Sequence, residues 1–455
     1  MNSYAIVPGT ATSSTVDVWI GVMSLNQRPS PPAAAIMRND STGEQIPVTG
    51  WNEWLVPDAT AGIVYAHVVM TGLAPRSRHR IELIVGGAAE AGAWISTLPD
   101  RLPGFEERPF TIMLGSCFCA AEDKGGSAGK AFRAVPPALR PELKLLCGDQ
   151  VYLDSPFYNF LVPHTKGGLA ETFLKNYVTT WTQSGDLQGY QQILSDAPAF
   201  LTSDDHGFWN NAPFPSFSVN TWTAGGRHDW WELAAGLLTA FQMFNGQAVR
   251  RVDVGELQML VADTRIKRRD DRTDFLEPAD MQTIESWIAG LTFPGILVIG
   301  QPIFQKKAGF AGNIADWNLP DFDQFATLCR ALLAAPQPVI VLTGDVHYGR
   351  VARVVTHRQV EIVEIISSPM SLVTGGGERS WHEPPGEFPA DAIPGAASLP
   401  VETVSSWKRA ADHFLVLELW QEGGRLRVRA NTREMNPDAG TPTAPVYDHA
   451  FQRMA

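Results

Sequence analysis

The chain reads as an α/β protein preceded by an all-β sandwich, and three observations lead there. From about residue 105 onward, short apolar runs alternate with amphipathic helical stretches, the pattern of sheets flanked by helices. Those runs end, one after another, in Gly, Ser, Asp, Thr or His, which places polar chemistry at the carboxyl edge of a sheet. Before about residue 100 the period is two, turn residues separate the runs, and no helical period interrupts.

Composition bounds what such a chain can do. Its 455 residues exceed one ordinary domain, and 44% hydrophobic with 18% charged residues describes a globular protein. A net charge of -12 argues against nucleic acid as a partner, because phosphates would have to be neutralised by Lys and Arg, and it suits cation binding. No run of about 20 apolar residues occurs, so no membrane span is expected. The four cysteines, at 117, 119, 147 and 329, form no Cys-x-x-Cys pair and no disulfide framework. Met1-Asn2-Ser3-Tyr4 opens without a basic n-region, a twin arginine or an apolar h-region, so a cytoplasmic location is expected of the sequence as given. Oligomeric state is not legible.

Residues 1–100 contain Val16-Asp17-Val18-Trp19-Ile20, Gly62 to Val68 and Arg80 to Val85, separated by turns such as Gly72-Leu73-Ala74-Pro75. With the closing Thr97-Leu98-Pro99, this stretch resembles a fibronectin type III-like module. Residues 105–455 form the second unit. Helices are expected at Leu169 to Trp181, Trp230 to Phe244, Asp280 to Leu291 and Asp321 to Ala334. A Gly/Pro-rich segment at 375–400 reads as a long loop that could overhang the site. A hairpin, Phe414 to Trp420 and Leu426 to Ala430, adds strands at a sheet edge.

The strand ends carry the chemistry. Phe110 to Leu114 leads into Gly115-Ser116-Cys117, and Leu143 to Cys147 into Gly148-Asp149-Gln150-Val151-Tyr152-Leu153-Asp154. Ala199 to Thr202 leads into Ser203-Asp204-Asp205-His206, and Leu257 to Ala262 into Asp263-Thr264-Arg265. Ile296 to Ile299 leads into Gly300-Gln301, and Val339 to Thr343 into Gly344-Asp345-Val346-His347. Aspartates, histidines, a tyrosine and a cysteine at one sheet edge suit a dinuclear metal site, with Asp149 bridging two cations about 3.5 to 4 Å apart. Anionic Tyr152 and Cys117 favour Fe3+ or another strongly Lewis-acidic ion at one position, while Asp204 and Asp205 suit a harder divalent ion at the other. His347 completes the first position, and Asp345 can reach either. Cys119, Cys147 and Cys329 read as packing residues, His228 as a loop histidine, and Trp230-Trp231 as core or pocket wall. Asn210 and Asn211 approach the substrate or shape a turn. Arg265 either clamps a phosphate oxygen or pairs with Asp263.

In order and spacing these motifs resemble the PhoD-type alkaline phosphatases of the calcineurin-like metallophosphoesterase superfamily, over roughly residues 105 to 370. The resemblance implies a four-layer fold, two mixed sheets face to face with helices outside. It also implies hydrolysis of a small phosphate ester by a metal-bound hydroxide, with Fe3+ and Ca2+, or Mn2+, Zn2+ or Mg2+, as cofactors. By motif position Cys117, Asp149, Tyr152 and His347 would hold the first metal. Asp205, with Asp204 or Asp345, would hold the second, and His206 would be the general acid. Such proteins are typically exported. Ser203 and Gly207 depart from the family pattern, which has an aromatic residue before the acidic pair and an acid after the histidine. The alternatives are a phosphodiesterase or phospholipase D-like activity on the same site, or a catalytically degenerate binding protein.

Overall fold

The structure is a computed structural model describing residues 2–25, 27–47, 54–57, 62–154, 165–182, 189–216, 219, 221–243, 246–308, 318–371, 383–389, 392–393, 397–407, 412–435 and 445–454. It is a mixed α/β molecule with several sheets and few helices. Seven strands make two antiparallel sheets over residues 3–96. One orders Ser3–Ala11, Val16–Met23 and Ile63–Met70; the other orders Gln45–Pro47, Ala35–Asn39, Arg78–Val85 and Ala88–Ser96. Alternate residues such as Val18, Ile20, Met37, Ile81 and Leu83 point into a shared core, as period two requires. Trp19, on the other face, is also buried, and its indole Nε1 donates to the Ala240 carbonyl at 2.7 Å. Arg76 adds a two-pronged pair to Glu142, at 2.7 and 3.0 Å. These strands are therefore tied to the body behind them.

That body holds two larger sheets. A six-stranded sheet runs Ala199–Thr202, Leu143–Cys147, Phe110–Gly115, His413–Glu422, Arg425–Glu434, Tyr447–Phe451, its first three strands parallel. A seven-stranded sheet runs Val249–Val254, Leu257–Ala262, Gly295–Val298, Val339–Thr343, Glu361–Ile366, Gly349–Val355, Glu402–Trp407, with a parallel block from Leu257–Ala262 to Glu361–Ile366. Ile112, Leu114 and Leu145 of the first share a cluster with Ile296, Val298, Ile340 and Val363 of the second. The alternate residues Met113, Leu146 and Leu201 pack on Phe173, Tyr177 and Trp230 of the helices Lys166–Thr182 and Ala224–Phe241. Leu297, Val341 and Ile362 pack on Ile284, Ile288 and Leu328 of Pro278–Ala289 and Phe325–Leu333. With both faces covered, these strands read as unbroken apolar runs.

Several boundaries shift for local reasons. The helix expected from Trp230 begins at Ala224, because Thr223 Oγ1 accepts the Gly226 N–H at 3.0 Å, a cap hidden in the sequence by Gly225-Gly226. His228, read as a loop residue, lies in that helix and is exposed. The helix expected from Asp321 begins at Phe325, since Leu319–Asp321 winds as a separate short turn. The hairpin is longer than its apolar runs, and its first strand pairs with Phe110–Gly115. Much of 375–400 lies outside the described residues, which here contain the short pair Glu387–Phe388 with Leu399–Pro400. No described helix is long and apolar enough to cross a membrane.

Candidate metal centre

Parallel strands of both sheets bring their carboxyl ends to one place, and two glycines let them meet. A side chain on Gly344 would lie 2.3 Å from Ser116 and 2.7 Å from the Cys147 carbonyl, so the edges of the two sheets close there only over a bare Cα. Gly148 has φ 91° and would place a Cβ 2.6 Å from that of Asp204. The turns beyond are strained. Cys117, Asp149, Asn211, Asp345 and His347 have φ of 56°, 55°, 68°, 69° and 56°, five of the nine non-glycine residues with positive φ among those described. Such conformations persist where the surroundings over-determine them, and they gather at functional sites.

Two tight groups of ligand atoms result. Asp149, Asp205 and His206 each place one within 4.8 Å of the others, as do Asp204, Asp205 and Asp345. Cys117 and His347 stand outside these groups. Cys117 Sγ nevertheless lies 3.7 Å from Asp149 Oδ2 and accepts from Ser368 Oγ at 3.2 Å. The Tyr152 ring stacks on His206 at 4.4 Å, and the His347 N–H donates to Ser368 Oγ at 3.1 Å.

Charge is crowded here. Asp149, Asp204 and Asp205 are at most 2% exposed. Burial pushes the Asp149 carboxyl well up, with Asp204 and Asp205 adding to it against the opposing pull of His206. Burial also raises Asp204, although Arg265 works the other way. Asp205 ends below its ordinary value, because His206 and Arg265 outweigh its burial. The Cys117 thiol and Tyr152 phenol are pushed up by burial and then by neighbouring anions, Asp149 among them. Asp204 Oδ2, Asp205 Oδ1 and Tyr152 Oη are buried without a hydrogen-bond partner. The orphaned oxygens of Asp204 and Asp205, which form a group with Asp345, fit a cation, and a cation there would lower the raised carboxyl, thiol and phenol groups around it. The donor set of carboxylates, imidazoles, thiol and phenol has the chemistry to hold one or two.

The guanidinium of Arg265 pairs with Asp204 and not with Asp263. It is fully buried, and its Nε donates to Asp204 Oδ1 at 2.7 Å while Nη1 donates to the Ala212 carbonyl at 2.8 Å. Asp263 instead accepts the backbone N–H groups of Ser203, Arg265 and Ile266, and the Ser203 hydroxyl at 2.8 Å. Asn210 and Asn211 contribute backbone N–H groups, to Asp154 Oδ2 at 2.6 Å and Asp205 Oδ2 at 2.7 Å.

Two residues were not singled out in the sequence. Asp154, fully buried, takes the His206 Nδ1 on both carboxylate oxygens, at 2.9 and 3.0 Å. Burial opposes the imidazolium, but Asp154 and then Asp205 hold it well above its usual value. Gln301 donates to Asp345 Oδ2 at 3.0 Å while accepting from Arg268 at 2.8 Å. The available signal was position alone: both follow strand ends.

The comparisons with known proteins bear on the fold. The solved structure of PhoD matches with TM-score 0.67 at 15% identity, over 99% of this chain and 90% of that one. GAP50, the anchor in the inner membrane complex of Plasmodium, aligns at 11% identity over 76% of this chain and 89% of that one, with TM-score 0.39. No family model and no curated protein matches the sequence. The fold is thus PhoD-like.

Proposed function

We propose that the chain is a PhoD-like, metal-dependent phosphoric ester hydrolase of the calcineurin-like superfamily, acting on phosphomonoesters. The reading rests on one observation above the others, the orphaned carboxylate oxygens of Asp204 and Asp205 beside Asp149 at a buried, strained sheet edge. In this reading residues 105–455 form the four-layer catalytic unit and residues 1–100 a fibronectin type III-like module. Cys117, Asp149, Tyr152 and His347 would hold one cation, Fe3+ or another strongly Lewis-acidic ion, because thiolate and phenolate are charge-rich anionic donors. Asp205 with Asp204 or Asp345 would hold the other, Ca2+ or another divalent ion, and Asp149 would bridge. When bound, such a pair supplies Lewis acidity toward a phosphoryl oxygen and eases deprotonation of water.

The protein's own groups do the rest. Asp154 holds the Nδ1 proton of His206, so the imidazolium is charged and oriented and its Nε2 proton is the one given to the departing alkoxide. This carboxylate replaces the acid missing at Gly207. Ser203 bonds to Asp263 and so fixes the start of the acidic turn. Arg265 is a positioning residue for Asp204 rather than a clamp on phosphate. Asn210 and Asn211 act first through their backbone, holding Asp154 and Asp205.

Elemental analysis of the purified protein beside Cys117→Ser, with turnover of nitrophenyl phosphate and bis-nitrophenyl phosphate, tests the reading. Two or more ions per chain including iron, iron loss in the variant, and preference for the monoester are expected. Preference for the diester would replace the monoesterase reading by a phosphodiesterase. Protein that is metal-free and stays inert after reconstitution with iron, calcium, manganese or zinc would overturn both.

A further inference from the structure

The same parallel strands have an opposite edge, and a cleft of about 660 Å³ lies there. One wall is the strand Ala88–Ser96; others are Arg133, at the end of the helix Ser127–Arg133, and Arg140, just ahead of the strand Leu143–Cys147. Ser195 and Asp196, just ahead of Ala199–Thr202, complete it. Asp149 and Asp204 follow the carboxyl ends of those two strands. At about 3.3 Å per residue the length of these five- and four-residue strands alone separates the cleft from the metal centre by ~13 to 17 Å.

The charge of the cleft is opposite to that of the molecule. Among the described residues Arg78, Arg80, Arg133 and Arg140 line it against Glu90 and Asp196, four cations to two anions in a chain of net charge -12. Two of the cations are held in place. The Arg78 guanidinium lies 4.2 Å from the centre of the Trp94 ring and donates to both oxygens of Asp196, at 2.9 and 3.0 Å. Arg80 approaches the same ring at 5.6 Å and fills the space left by Gly92, where a Cβ would stand 2.7 Å from its Nη2. Trp94 is itself fixed across the seam between the two units: its N–H donates to the Ser195 carbonyl at 2.8 Å and its carbonyl accepts from Ala197 N–H at 2.9 Å. Arg80, Arg133 and Arg140 form no ion pair among the described residues.

We propose that this cleft binds a small anion carrying two or more phosphate groups. Guanidinium forks match phosphate oxygens in pairs, and Arg80 and Arg78 are preorganised by stacking on one ring. Arg80, Arg133 and Arg140, without an ion pair among the described residues, line a cleft of small-molecule size and ask for more than one anionic group, and its volume falls in the range of about 300 to 1,000 Å³ usual for small ligands. Because the cleft lies at the edge away from the carboxylates, the bound anion is not the ester being cleaved.

Calorimetric titration of the full chain with inorganic tripolyphosphate tests this, with orthophosphate as comparison and Arg80→Gln/Arg133→Gln, Arg80→Lys/Arg133→Lys and Asp149→Asn alongside. Tripolyphosphate should bind more tightly than orthophosphate. Affinity should fall at least ~10-fold in the glutamine double variant, since charge-assisted hydrogen bonds are lost, and largely return with lysine. It should be unchanged in Asp149→Asn, and nitrophenyl phosphate turnover should be unchanged in both arginine variants. No binding by the unmodified chain, equal affinity with and without the two arginines, or loss of binding in Asp149→Asn would each overturn the proposal. A misfolded glutamine variant would show in its melting curve, and the lysine pair then carries the comparison: it must bind within severalfold of the unmodified chain or the proposal falls.

Discussion

Glu364 and Asp204 are both buried acids paired with a buried arginine, and the molecule treats them in opposite ways. Glu364 Oε1 accepts from Arg350 at 2.7 Å, and Oε2 accepts the backbone N–H groups of Ile303 and Phe304 at 2.7 and 2.9 Å. Arg350 also donates to the Phe304 carbonyl at 2.8 Å, so this pair fixes the loop that follows Gly295–Val298. Asp204 gives Oδ1 to Arg265 and to the Asp205 N–H, while Oδ2 is left bare. Both acids are removed from water, where an unmatched lone pair on an anion is costly. The closed arrangement around Glu364 is what structure alone requires. The open one around Asp204 leaves an acceptor that a bound cation would satisfy, and the same is true of Asp205 Oδ1.

The most severe way to break this contrast is Asp149→Asn. Removing the carboxylate proposed to bridge two cations should take phosphate ester turnover to the uncatalysed background. The chelator-treated variant should melt no lower than chelator-treated parent protein, because burial and like charges disfavour the ionised Asp149 when no cation is present. A large loss of stability with turnover intact would make Asp149 structural. Glu364→Gln should do the reverse. It leaves a buried cation without its counter-charge and turns an amide N–H toward the Ile303 and Phe304 donors, so unfolding should become easier by about 3–5 kcal/mol. Urea denaturation measures it, and metal content of the folded fraction should be unaffected.

These two acids also show what could be read from sequence. Strand ends were legible because an unbroken apolar run must stop where polar chemistry begins, and Leu143–Cys147, Ala199–Thr202, Leu257–Ala262 and Val339–Thr343 fall where the runs said. The grouping of Asp149 with Asp204, Asp205 and His206 follows from parallel strands in one sheet. The partner of Arg265 was not legible, since Asp263 is two residues away and Asp204 sixty-one: the local choice looked better until the fold brought the distant one to 2.7 Å. Glu364 sits inside the apolar strand Glu361–Ile366, and nothing in its neighbours signals Arg350 from the adjacent strand. Ser203 and Gly207 looked like losses. Each turns out to be tied to another loop, Ser203 by its bond to Asp263 and His206, beside Gly207, by its bond to Asp154, and contacts across space leave no mark on spacing.

Asp154 gives the smallest and most discriminating test. Asp154→Asn keeps a side chain of the same shape but removes the charge that holds the His206 proton, so His206 should deliver it less well to a leaving group. Loss of general-acid catalysis costs ~10² to 10⁴ in rate, and removing only the orienting carboxylate should cost less, about tenfold for an ordinary alkyl phosphate. The effect should depend on the leaving group. Nitrophenolate departs without help, so kcat for nitrophenyl phosphate should change little while kcat for an alkyl phosphate falls, with KM and metal content unchanged. His206→Ala should show the same dependence more strongly. A loss in Asp154→Asn that is equal for both substrates, or that follows metal loss, would mean that the carboxylate serves the fold of the 203–207 turn and that the Asp154–His206 pair belongs with Arg350–Glu364 among the closed arrangements.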